Sequence, residues 1–138
     1  MKNHAVIVLK GEKGKVLFVQ RATTKKFLPN AWAFSSGTME EGESPEETVK
    51  REALEELGVE VKVENKMGEV ELPEQNARLH FIICKIIKGE PAIKAPEEIQ
   101  KLEWHTFPEF FAKFKDPQIG HGLIYLRQHP ELWQKYFK

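Results

Sequence analysis

Apolar residues recur along this chain with two different periods, and each change of period marks a change of element. Ala5–Leu9 is a β-branched apolar run, and Lys15-Val16-Leu17-Phe18-Val19 is a second one after Gly11-Glu12-Lys13-Gly14. That arrangement predicts two strands joined by a glycine turn. Trp32-Ala33-Phe34 reads as a short strand after a Pro29-Asn30 turn. From Ser44 to Leu57 the pattern becomes helical. Ser44 is a good N-cap, Pro45 sits at the first helical position, and Glu47 completes a capping box. Gly58 is the stop signal. Val59-Glu60-Val61-Lys62-Val63 alternates as a half-buried strand does, and Leu79–Ile87 is a longer apolar run suited to a central strand. Pro73 after Leu72 reads as a strand end. Ile99–His105 predicts another strand. Phe107, Phe110, Phe111 and Phe114 then fall at i, i+3, i+4 and i+7, on one face of a helix. Gly122–Phe137 reads as helical, interrupted at His129-Pro130. Strands, helix, strands, helices in that order predict an α/β (α+β) fold with a mixed sheet.

Composition narrows the class. The chain has 138 residues, 41% of them hydrophobic, which suits one domain over residues 1–138 with a core of its own. Lys+Arg and Asp+Glu both number 21, so nothing in the net charge points to nucleic acid or to a membrane surface. No apolar run approaches the roughly 18–20 residues of a membrane span. The run Ala5–Leu9 meets Lys10 and Gly11 too soon to be read as a signal peptide. Cys84 is the single cysteine, which excludes an internal disulfide and makes a reducing, cytoplasmic location the expectation. It lies in an apolar run and reads as a small buried hydrophobe. The five histidines show no metal-ligand spacing.

The neutral total conceals a local imbalance. Nine glutamates between Gly37 and Glu60 face only Lys50 and Arg51, a segment charge of −7. The first 30 residues lean the other way, with seven Lys and Arg against Glu12 alone. At about 100° per residue, Glu52, Glu55 and Glu56 share one face of the helix, while Val49, Ala53, Leu54 and Leu57 share a separate, core-facing arc. Like charges at this spacing cost a few tenths of a kcal/mol per pair. Three clustered oxygen donors are also what a hard divalent cation such as Mg²⁺ requires.

The spacing completes a known motif. Gly37, five residues, Glu43, seven residues and then Arg51-Glu52-Ala53-Leu54-Glu55-Glu56-Leu57-Gly58-Val59 resembles the Nudix box over its full 23 residues. The resemblance implies a mixed β-sheet sandwiched between helices. It implies a hydrolase that splits a nucleoside diphosphate linked to another group, such as a nucleoside triphosphate or ADP-ribose, with Mg²⁺ or Mn²⁺. By position, Glu52, Glu55 and Glu56 become metal carboxylates, joined by the carbonyl of Ser36 or Gly37. Glu43 and Arg51 become the pair that ties loop to helix. Ser35-Ser36-Gly37 departs from the commoner Pro-Gly-Gly, which suggests a different substrate subgroup.

A carboxylate must also take the proton of the attacking water. The candidates are Glu55 in the helix and Glu98, or its neighbour Glu97, before the late strand. Arg21, Lys25 and Lys26 are candidates for holding the distal phosphate. The expected partner is a nucleotide-type small molecule, with the protein a monomer or homodimer. Two other readings stay open: a non-catalytic nucleotide-binding module of the same fold, and a diphosphate isomerase that shares it. The isomerase chemistry resembled by Lys25–Pro29 relies on a cysteine and histidines that this chain places elsewhere.

Overall fold

The structure, a computed structural model, describes residues 1–137. The elements follow the chain as β1 (Lys2–Lys10), β2 (Val16–Arg21), β3 (Trp32–Ala33), β4 (Ser36–Thr38), α1 (Pro45–Glu52), β5 (Glu60–Leu72), β6 (Ala77–Lys88), β7 (Ile99–His105), α2 (Phe107–Lys113), α3 (His121–Gln128) and α4 (Glu131–Gln134). The strands form one mixed sheet with the path β3-β2-β1-β6-β5. β1 and β6 run parallel, and β7 lies antiparallel beside β2. β4 pairs with β1 through Ala5 opposite Gly37.

Alternation along the strands splits the core in two. Ala5, Ile7, Leu9, Leu17, Val19, Ile82 and Cys84 face Val49, Ala53 and Leu57 of the helix after β4. Val6, Val8, Phe18, Phe34 and Phe81 face Phe107, Phe110, Leu123 and Trp133 of α2–α4. The mixed sheet therefore lies between two helical layers, the fold class expected from the order of elements. Phe18 is its aromatic centre, stacked on Phe110 at 3.9 Å and on Phe34 at 5.1 Å.

Three features depart from the sequence reading. β5 runs for 13 residues rather than five, because register shifts at Val63/Asn65 and Lys66/Gly68 break the in–out alternation that would have revealed it. Ser36–Thr38 is a strand, although its small polar residues carry no strand pattern. The helix expected to Leu57 is α-helical only to Glu52 and then widens into a π turn over Ala53–Leu57, closed by Gly58 at φ +70°. Leu54, placed on the core arc by a uniform 100° step, is consequently 56% exposed.

The start of α1 is built as read. The Ser44 hydroxyl accepts from the Glu47 amide at 3.1 Å, and the Glu47 carboxylate accepts from the Ser44 amide at 2.9 Å. Ser44→Ala is expected to cost about 1 kcal/mol, seen as a small fall in the thermal midpoint. An unchanged midpoint would mean that the cap contributes nothing to this helix.

Candidate active site

Pairing of β4 with β1 lays the Ser35–Thr38 segment across the end of α1. Gly37 is there for a steric reason: a Cβ would overlap the Glu52 side chain. Arg51 organises what lies beneath. Its Nε and Nη2 donate to the two oxygens of Glu43 at 2.8 and 2.9 Å, and its Nη1 donates to Glu52 Oε1 at 2.8 Å. Glu55 stands 3.6 Å away on the same guanidinium. Thr48 Oγ1 and the Glu40 amide also donate to Glu43, at 2.7 and 3.0 Å. With Arg51 as the main cause and these two donors behind it, the Glu43 carboxyl is pulled down to about 2.

Glu56 is the opposite case. It is largely buried, it accepts from the Ser35 hydroxyl, and it lies beside Glu52. Burial pushes its carboxyl up to about 8; the Ser35 bond opposes the shift, and Glu52 and Glu98 add to it. The Glu56 carboxyl beside Glu52 forms a site that asks for either a proton or a cation.

The sequence-derived candidates separate accordingly. The Glu52 side chain is only 12% exposed, whereas that of Glu55 is 59% exposed and leans on Arg51. Among the described residues, no three of His, Cys, Asp and Glu converge as a ready-made metal cluster. The donor chemistry nevertheless fits a hard cation. All donors are oxygens, Glu52 and Glu56 are adjacent, and the glycine backbone at residue 37 lies against Glu52. Glu55 would have to turn from Arg51 to join them. Ser36 is exposed on β4.

Glu98 lines a small cleft of about 30 Å³ together with Glu56, Ser35, Ser36 and Arg21. Its carboxylate is paired with Lys25 Nζ at 2.6 Å. Glu97 and Lys26 are exposed. Arg21 is tied down: Nε and Nη2 donate to the Phe27 carbonyl at 3.1 and 2.8 Å, and Nε also reaches that of Leu28 at 3.2 Å. That bond set fixes the loop before β3, where Leu28 sits at φ +47°, an uncommon conformation for a leucine. Ser35 and Thr48 were not candidates from sequence. Only the departure from Pro-Gly-Gly hinted at Ser35, and nothing in the spacing singled out Thr48.

Beside the cleft, sharing Arg21, Phe34 and Ser36 with it, opens a cavity of about 480 Å³. This falls within the range of small-molecule pockets. Its floor comes from the sheet face toward α3, with Val6, Leu79 and Phe81, and its rim carries His4 and His121. Among the described residues, no helix is long and apolar enough to cross a membrane.

Comparison with known proteins agrees with this arrangement. A Nudix hydrolase of Yersinia pestis is 30% identical over 108 residues, covering 78% of this chain and 59% of the relative. The chain thus spans about three-fifths of the length of that relative. The 8-oxo-dGTP diphosphatase of Escherichia coli is 32% identical over 103 residues, covering 72% of this chain and 76% of the relative. A crystal structure from Deinococcus radiodurans superposes with a TM-score of 0.75 at 24% identity, covering 92% of this chain and 82% of that one, a likeness of fold. Residues 2–125 match the family model described as NUDIX domain, so the chain belongs to the NUDIX domain family.

Proposed function

We propose that this protein is a divalent-metal-dependent pyrophosphohydrolase that cleaves a nucleoside diphosphate linked to another group. The observation that carries the reading is the largely buried Glu56 carboxyl, adjacent to Glu52 and opening onto a cleft beside a ligand-sized cavity. The name of the Escherichia coli relative, a diphosphatase of a nucleoside triphosphate, supports the same class.

Glu52 and Glu56 would hold Mg²⁺ or Mn²⁺, with Glu55 joining after leaving Arg51 and a carbonyl of Ser36 or Gly37 completing the protein's share. When bound, such an ion neutralises phosphate oxygens and acidifies water. The remaining work falls to side chains. Glu98 lines the cleft that Glu56 lines, whereas Glu55 faces solvent, so Glu98 is the better placed base. Lys25 orients Glu98 through their 2.6 Å ion pair and would offer a cation to an arriving phosphate. Arg21 shapes the passage between cleft and cavity by holding the loop around Phe27. Glu43 and Arg51 fix the carboxylate layer beneath.

Cysteine chemistry of the isomerase kind finds no support. Cys84 is buried in the sheet, and burial pushes its thiol up to about 12, far from a reactive thiolate.

The test is a panel of nucleoside triphosphates and ADP-ribose with Mg²⁺, Mn²⁺ or chelator. Monophosphate release should require the metal. Calorimetric titration with Mg²⁺ should show uptake that Glu52→Gln weakens. No release from any compound, together with no metal uptake, would refute the proposal.

A further inference from the structure

Polar side chains withdrawn from solvent are scarce in this protein. Among the described residues they are Ser35 (4% exposed), Thr48 (0%) and His80 (7%). Two of the three hold a glutamate of the box. Thr48 donates its hydroxyl to Glu43 at 2.7 Å, and Ser35 donates its hydroxyl to Glu56 Oε1. Burying a hydroxyl is costly unless it is hydrogen-bonded, and among the described residues Glu56 is the one partner of the Ser35 hydroxyl.

The two glutamates depend on these hydroxyls to different degrees. Arg51 already grips Glu43 twice and Glu52 once, and it stands 3.6 Å from Glu55. None of its hydrogen bonds reaches Glu56. The guanidinium that orders the other carboxylates therefore leaves Glu56 to Ser35.

Ser35 is well placed for that work. Its carbonyl accepts from the Ile7 amide at 2.9 Å, and the residues that follow pair with β1, Ser36 opposite Val6 and Gly37 opposite Ala5. The hydroxyl thus rides on sheet backbone and turns about a single side-chain bond. Glu56 sits on the π turn and has three side-chain torsions to fix. Ser35 and Glu56 both line the small cleft, so their bond is made at the site itself. It also leaves room for an ion. Each carboxylate oxygen has two lone pairs; Ser35 occupies one on Oε1 and leaves the other, with both on Oε2, open to a cation. Proline, the commoner residue at this place in the motif, has no hydroxyl to offer.

We propose that Ser35 is a positioning residue for metal uptake, its hydroxyl holding the Glu56 carboxylate beside Glu52 so that the two grip one divalent cation. The proposal rests on the hydrolase reading, which makes Glu52 and Glu56 the metal's carboxylates. Its test is calorimetric titration with Mg²⁺ in the absence of nucleotide, so turnover does not enter. Ser35→Ala should weaken Mg²⁺ binding about tenfold, the scale on which partners of metal ligands act. Ser35→Cys, similar in shape but a weak donor, should fall between alanine and wild type. Ser35→Thr keeps the hydroxyl and should bind nearly as the wild type does. Lost stability alone would not give this order: Ser44→Ala, which weakens the other end of α1, should bind Mg²⁺ as the wild type does. Unchanged Mg²⁺ affinity in Ser35→Ala overturns the proposal and leaves the hydrolase reading in place. So does tighter binding, which would make the hydroxyl a competitor of the ion, and so does a folded Ser35→Thr protein as weak as Ser35→Ala. Should Ser35→Ala not fold, Ser35→Cys decides in the same way. A wild type that takes up no Mg²⁺ would remove the metal reading of the site and this proposal with it.

Discussion

Glu56→Gln is expected to lower metal-dependent hydrolysis by at least about a hundredfold while making the metal-free protein more stable at neutral pH. The two effects have one cause. Glu56 is a largely buried carboxyl beside Glu52, raised to about 8 by burial. An outer partner of a metal ligand is worth about 10–100-fold, and a ligand itself should exceed that. The stability effect follows from proton linkage. A carboxyl in the unfolded chain titrates near 4.3. Between that value and about 8 the folded protein holds more protons on Glu56 than the unfolded chain does. Stability therefore falls as pH rises through this window and levels off above it. Gln is neutral at every pH and close in shape, so it removes the slope. The gain at neutral pH should be on the order of a few kcal/mol, read as a higher thermal midpoint in chelator. Mg²⁺ should raise the wild-type midpoint and leave the variant unmoved. A variant with wild-type turnover, or one whose metal-free stability follows pH as the wild type does, would sink the assignment of Glu56.

This contrast explains which parts of the site could be read in advance. Residues whose role is set by local spacing were legible. Ser44 and Glu47 form their capping box within one helical turn, and Glu43 and Arg51 are placed by a motif of fixed length. The phenylalanine stripe from Phe107 to Phe114 announces α2 because a helical face repeats within seven residues, although Phe114 itself is already extended. Ser35 was not legible. Its contact with Glu56 spans 21 residues and depends on β4 pairing with β1, a three-residue strand without a hydrophobic pattern. The π turn was hidden for a related reason, since Ala53–Leu57 has ordinary helix-forming residues and tertiary packing decides its pitch. Leu54 was misjudged as a result: it lies on the widened turn and is more exposed than its place on the core arc would make it. The pairing of Lys25 with Glu98 joins residues 73 positions apart, and no periodicity reports on such a distance.

Arg51→Ala should be the most damaging change outside the carboxylates themselves, and Arg51→Lys should rescue little of it. Arg51 touches Glu43 twice, Glu52 once and Glu55 at 3.6 Å, so one guanidinium separates three acidic side chains. Lysine carries the charge but not the planar fork, and it cannot serve Glu43 and Glu52 at once. Loss of the charge-assisted bonds should cost about 2 kcal/mol, because the side chain is partly solvated. The freed Glu52 would press its charge on Glu56 and loosen the pair meant to receive the cation. Activity should fall about 10–100-fold. Much of that loss should appear as a raised requirement for Mg²⁺ rather than as a lower rate at saturation, since the ion supplies positive charge of its own. The acid side of the stability curve should change as well. Glu43, held near 2 chiefly by Arg51, contributes stability above the unfolded value that is lost as pH falls toward 2. Without Arg51 that contribution shrinks, so the variant should lie closest to wild type near pH 2, fall away as pH rises to about 4.5 and stay apart by a constant amount above it. Turnover measured against Mg²⁺ concentration, with melting from pH 2 to 7, tests both statements. An Arg51→Lys protein with unaltered metal dependence would show that the fork does not organise this site.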